Sequence, residues 1–449
     1  MEKPNNITPI QASVHLLIPA FIKHPIIFRS SLLKSKEWTE TNLETEFYLK
    51  YVNTIFCCKK EKNGNNPLTS RCLVLENNIR KAKLTVRKHE ITLEKTRIFC
   101  FNTSIGLLDL CLSVSCERME DFANICARLR QTDLTYRFNA FDFSSNVYFE
   151  PKKMTINNFI CQLISPIGKV NLYDHISSNG KTRAELLASV IVDSNCTENL
   201  DSLMFRVAEG IDMRNDECIS TVTPYCPLKH IRWTITKKGV CSVGILTNNQ
   251  LNRNFVLSEW RDIVSNRHIL WYVMVLHQKY AIYHYLNEIA QKKRPSDMKA
   301  FQKIIMAFNT EYRFEMISED PSYQIPYDKI REEKSIEKVF LDIDEEIERI
   351  HTYYDTIQDK NINLVMTIVS LVCVISTFID IFSLPSLEQP VFELIQTWSF
   401  PQLFLFIITI GAMITALSFL VIKPFIRKIS GYIKDFICWI WKILFLHKK

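Results

Sequence analysis

The sequence predicts an α+β domain followed by a long helical stalk and a C-terminal two-helix transmembrane hairpin. Three observations predict it. Strand-like apolar runs separated by turn residues fill the first 255 residues. An apolar repeat in steps of four and three runs from Ile336 to Asn361. Two uncharged apolar runs follow, Ile362 to Ile379 and Leu403 to Ile422, each near the roughly 20 helical residues that a bilayer requires. The expected divisions are 1–255 for a cytosolic α+β sensor domain, 256–361 for the stalk, 362–422 for the hairpin with spans at 362–382 and 402–422, and 423–449 for a basic amphipathic tail.

In chain order, His15 to Ile22 reads as an edge or broken strand, because Pro19 removes a ladder donor. Leu84 to Arg87 is a short strand. Arg97 to Phe101 and Leu107 to Val114 form a hairpin turned through Asn102 to Gly106. Ser115 is placed to cap a helix from about Cys116 to Gln131, whose Phe122, Ile125, Cys126 and Leu129 share a face. A second hairpin joins Ile231–Thr236 to Val240–Leu246 at Lys237, Lys238 and Gly239. From Leu257 the pattern turns helical: Trp260 to Ala290, then Met298 to Tyr312 after Pro295. Ile336, Phe340, Ile343, Ile347, Ile350, Tyr354, Ile357 and Asn361 then make a coiled-coil seam, which predicts assembly with further copies of the chain. No Pro or Gly interrupts Tyr327 to Leu384, so the stalk is expected to run unbroken into the first span.

Composition narrows the function classes. The formal charge of +7 is concentrated in the tail, where seven basic residues meet one acid, so the first 360 residues are nearly balanced and no nucleic-acid polymer partner is implied. No Lys or Arg occurs from Asn361 to Ile422, and the positive-inside rule places both termini in the cytoplasm of a multi-pass inner-membrane protein. The start, with Glu2 and Pro4 before any apolar stretch, does not read as a secretory signal. Only nine Gly occur, leaving little room for glycine-rich phosphate loops. The sequence lacks GxxxxGK[ST], HExxH and paired CxxC, so no catalytic residue, no resident metal and no enzyme activity are expected.

Asn363, Thr367, Ser370, Val374, Thr377 and Asp380 fall on one helical stripe and would line a pore if several copies turned it inward, with an Asp380 ring favouring cations. The bland alternative is that the hydroxyls bond back to helix carbonyls. Asp342, Asp344, Glu345, Glu346 and Glu348 read as a solvated stalk surface more readily than as a metal sensor. His277 and His284 read as satisfied core histidines. Arg206, with His230 and Arg232 alternating against Ile231 and Trp233, is the candidate phosphate-binding face.

Several segments carry a family resemblance. TIVSLVCVISTFIDIF (Thr367 to Phe382), SIGLLDLCLSV, MEDFANICARLR, WYVMVLHQKYAIYHYL and FNTEYRFEMISEDPSYQIPYDKI resemble the CorA-like two-span channel family, in its divergent bacterial members with an enlarged cytosolic domain. The family's Gly-Met-Asn motif is absent; Ile379, Asp380, Ile381, Phe382 and Ser383 stand there. The resemblance implies a CorA-like funnel, a homopentamer in the lipid bilayer, and the role of a type III CRISPR antiviral effector. Its small nucleotide messenger would be a S-adenosylmethionine–AMP conjugate or a cyclic oligoadenylate. A divalent-cation transporter of the magnesium type is the alternative, and a membrane-tethered scaffold a third class.

Overall fold

The computed structural model describes residues 9–382 apart from 42, 57–59, 62–63, 66–69, 78–81, 140–151, 166, 169–170, 173–182, 194–198, 212–223 and 292–294. The first elements are β1 (Pro9–Phe21), α1 (Pro25–Lys34), β2 (Trp38–Glu40), α2 (Lys50–Phe56), the ribbon β3 (Lys60–Glu61) with β4 (Gly64–Asn65), β5 (Cys72–Asn77) and β6 (Ala82–Val86). Next come β7 (His89–Phe101), β8 (Ile105–Val114), α3 (Met119–Leu129), β9 (Thr135–Asn139), β10 (Lys152–Thr155), α4 (Ile156–Ile164), β11 (Asn171–Leu172), β12 (Glu185–Val192) and α5 (Leu200–Glu209). Then follow β13 (Tyr225–Leu228), β14 (Ile231–Ile235), β15 (Gly239–Ile245), α6 (Gln250–Ser258), α7 (Trp260–Ile263), a π-helical turn at Val264–His268, α8 (Ile269–Gln291), α9 (Pro295–Tyr312), α10 (Pro321–Glu333) and α11 (Ile336–Phe382).

Thirteen of the strands join in one mixed sheet. Its main order is β10-β9-β6-β7-β8-β1-β12-β15-β14-β13, with β11 on β1, β5 on β7 and β2 on β5. The β12–β15 pair is parallel and the other ladders are antiparallel. Alternation along β1 sorts its side chains between two cores. Val14, Leu16 and Ile18 meet α3, α4 and α5 through Phe122, Phe159 and Leu203, while Leu17 joins the opposite core of α2, α8, α9 and α10. β12 is buried along its whole length, as a strand covered on both faces must be.

β1 is a central strand, not the edge strand its proline suggested. Pairing with β12 covers Pro9 to Leu17 and β11 resumes at Ala20, so Pro19 stands in the gap where its missing N–H costs no ladder bond. Both expected hairpins form: β7 turns into β8 through Asn102–Ser104, and β14 into β15 at Lys237–Lys238. Helix α3 begins at Met119 behind an uncapping Arg118, three residues beyond the expected start at Cys116. The expected helix from Trp260 is interrupted by the π turn before α8 continues.

The chain divides into two compact units, Met1–Ile347 and Glu348–Lys449. Helices α6 to α10 belong to the first with the sheet. Ile336, Phe340 and Ile343 of the expected seam are fully buried in that unit's own core, and Ile347 packs on it. The stalk does not run from Tyr327: α10 ends at Glu333, and Ser335 takes φ 53° before α11 starts.

The transmembrane hairpin, the membrane-protein and ion-channel character built on it, and the multi-pass inner-membrane placement are corrected by one finding. Among the described residues no helix is long and apolar enough to cross a membrane. The second run, Leu403 to Ile422, and the basic tail lie outside the described residues.

Candidate functional site

The face of the sheet toward α7 and α8 carries an unusual number of polar side chains. Register aligns Ser113 on β8, Ser13 on β1 and Ser189 on β12 directly across three neighbouring strands. Ser242 on β15 continues the row and is satisfied by donating to the Ala188 carbonyl at 3.3 Å. The other three open into a cleft of about 250 Å³ whose lining also includes Gln11, Ser115, Ile191 and Arg261. Next to this cleft β1 has a bulge between Pro9 and Gln11, a device that re-aims side chains at strand ends. Ser13 and Ser189 are 2% and 4% exposed, yet neither hydroxyl has a hydrogen-bond partner among the described residues. Hydroxyls at the wall of a cleft and without a protein partner are open to a ligand or ordered water. Arg261 on α7 supplies the cleft's one charged lining side chain and stands 3.9 Å from Glu94 on β7.

Two residues along β1 from Ser13, on the same face, His15 sits in a buried network. Its Nδ1 lies 2.9 Å from Asp109 Oδ1, which accepts its proton, and its Nε2 lies 2.9 Å from Ser265 Oγ. Arg97 donates through Nε and a terminal nitrogen to Asp109 Oδ2 at 2.9 and 2.7 Å, and through its other terminal nitrogen to Asn266 Oδ1 at 3.4 Å. Burial alone would lower the His15 pKa, but Cys111, opposite it on β8, and the Asp109 carboxylate overcome this and raise it to about 9. Burial would likewise raise Asp109, and His15 with Arg97 outweighs it and lowers the carboxyl below its usual range.

Ser265, His15 and Asp109 thus have the connectivity of a nucleophilic triad. Two features set it apart from a catalytic triad. A general base must be neutral at working pH, and this imidazole is held protonated. All three side chains are also buried, and none of them lines the cleft. The network instead ties the centre of the sheet to the π turn, because Ser265 and Asn266 both belong to Val264–His268.

A second buried cluster lies at the start of β12. Glu185 accepts from Lys279 at 3.2 Å, from the Tyr280 hydroxyl at 2.8 Å and from Lys334, which also donates to the Lys237 carbonyl at 2.7 Å. Burial pushes the Lys334 ammonium down to about 8 against the pull of Glu185, while burial of Glu185 is outweighed by the two lysines, which hold its carboxyl well below the carboxylate range. This cluster pins the turn that precedes α11.

The residues predicted from sequence fall elsewhere. Arg206 is buried on α5, and His230 lies in the β13–β14 turn with its pKa lowered by burial. Arg232 on β14 pairs with Asp201 at 2.9 Å. None of the three lines the cleft. Asn363, Thr367 and Ser370 are exposed on α11, where Thr367 Oγ1 donates back to the Asn363 carbonyl at 2.7 Å, and the side chains of Val374, Thr377 and Asp380 lie outside the described ones. Asp344 of the stalk acids pairs with Arg313 at 2.8 Å. His277 is a satisfied core residue, stacked on Phe101 and 2.6 Å from Thr103 Oγ1, its pKa pushed down to about 3 by burial. Comparison of the chain with family models, curated proteins and solved structures finds no match.

Proposed function

We propose that this chain is a sensor: its first unit binds a small nucleotide signal in the serine-lined cleft, and binding, not turnover, is its activity. The observation that carries this reading is the row of hydroxyls, Ser13, Ser113 and Ser189, lining one cleft together with Arg261. A ligand with acceptors there takes hydrogen bonds from these hydroxyls in place of water. That His15, Asp109 and Ser265 all stay out of the cleft's lining supports binding over hydrolysis there. Adenosylated nucleotides and cyclic oligoadenylates are the ligand class proposed, with AMP as their smallest common probe.

Calorimetric titration of the full chain with AMP, a cyclic oligoadenylate and the S-adenosylmethionine–AMP conjugate tests this. Saturable binding of at least one, lost in a Ser113→Leu variant that fills the cleft and still melts cooperatively, is the expected result. No binding of any of the three overturns the reading. Self-association accompanies it as a proposal, supported by the exposed Ile362, Val365, Met366, Val369 and Val372 of α11. Sedimentation of the full chain as a monomer at micromolar concentration would remove that part.

A further inference from the structure

We infer that the cleft is an oxyanion site that holds the phosphate of its ligand, with Arg261 as the charge-bearing contact and the aligned serines as its donors. This rests on the sensor reading above and says which part of the ligand enters. The lining contains one charged side chain, a cation, and no carboxylate. Cationic and purely apolar ligands are therefore disfavoured. The hydroxyls of Ser113, Ser13 and Ser189 come from three adjacent strands spaced about 4.8 Å apart, and Arg261 comes from the helix that faces them. Donors supplied to one cleft by a strand row and by a separate helix suit a tetrahedral group better than a planar ring. A volume of about 250 Å³ takes a phosphate with part of its ester, leaving the remainder of a nucleotide at the mouth.

Glu94 is the built-in competitor. At 3.9 Å its contact with Arg261 is too long for a direct hydrogen bond, and both side chains are partly exposed, so the pair is weak. An incoming phosphate draws the guanidinium away from Glu94 into a shorter, charge-assisted bond.

The test is calorimetry of the full chain with inorganic phosphate, AMP and adenosine, in the wild type and in Arg261→Gln and Glu94→Gln. Phosphate and AMP are expected to bind competitively and adenosine not at all. Arg261→Gln should weaken phosphate at least tenfold. Glu94→Gln should strengthen it severalfold, a gain that a merely structural role for either residue does not produce. If adenosine binds as well as AMP while phosphate does not compete, the inference falls and the nucleotide reading stands. Phosphate binding that is unchanged in a folded Arg261→Gln also overturns the inference. If none of the three ligands binds, the oxyanion inference falls, and the sensor reading then stands or falls on the cyclic oligoadenylate and the S-adenosylmethionine–AMP conjugate.

Discussion

His15 and Asp109 meet at 2.9 Å in the middle of the sheet, 0% and 1% exposed, with Arg97 on the carboxylate's other oxygen. A buried carboxylate between two cations cannot be removed without leaving both unpaired. Asp109→Ala is expected to cost about 3–5 kcal/mol, read from urea unfolding. A loss below about 1 kcal/mol would mean that the network is not the centre of the fold.

The same pair sets a pH dependence. The folded pKa of His15 is raised above the ordinary 6.5 to about 9, so its stabilisation is complete below pH 6.5 and is lost as pH rises toward 9. Lys334 acts oppositely from about pH 8, where the folded chain releases its proton before the unfolded one does. Between pH 6.5 and 8 the His15 slope stands alone of the two, and stability should fall by at most about 2 kcal/mol. His15→Gln should flatten that slope in a series of denaturant midpoints.

Glu185 presents the acid-side counterpart. Its lowered pKa contributes stability that is present above the ordinary value of 4.5 and disappears as pH falls through the folded one. Glu185→Gln leaves Lys334 and Lys279 buried beside a neutral amide and should destabilise by roughly 3 kcal/mol or more. Adding Lys334→Met should recover part of that loss, so that the two changes are non-additive in thermal melts.

Gly239 begins β15 under a tight constraint. A Cβ there would lie 2.7 Å from the Ala208 carbonyl oxygen and 2.8 Å from that of Leu186. Both obstacles are backbone and cannot swing aside. Gly239→Ala should cost about 1–3 kcal/mol by chemical denaturation.

Local signals carried much of the fold. The β14–β15 hairpin was legible because Gly239 follows two lysines between alternating apolar residues, and the apolar stripe of Ile336, Phe340 and Ile343 was legible too, though as a seam between copies and not as part of this unit's own core. What covers them was not legible, since periodicity states that a stripe is apolar and not whose atoms meet it. Pro19 misled because its tolerance depends on where β12 stops pairing, and the break between α10 and α11 at Ser335 carries no glycine or proline to announce it. The cleft was invisible in the sequence. Ser13, Ser113 and Ser189 are brought into line by register between distant strands, and Ser265 reaches His15 from 250 residues away.

The most direct test of the sensor account is one thermal and calorimetric comparison of Ser13→Ala/Ser189→Ala with the wild type, with and without AMP. Hydroxyls that face the cleft and bond nothing else in the chain contribute little to the empty protein, so the double variant should melt at about the wild-type temperature and lose AMP binding. A variant that melts several degrees lower, or one that binds AMP as the wild type does, would contradict the account.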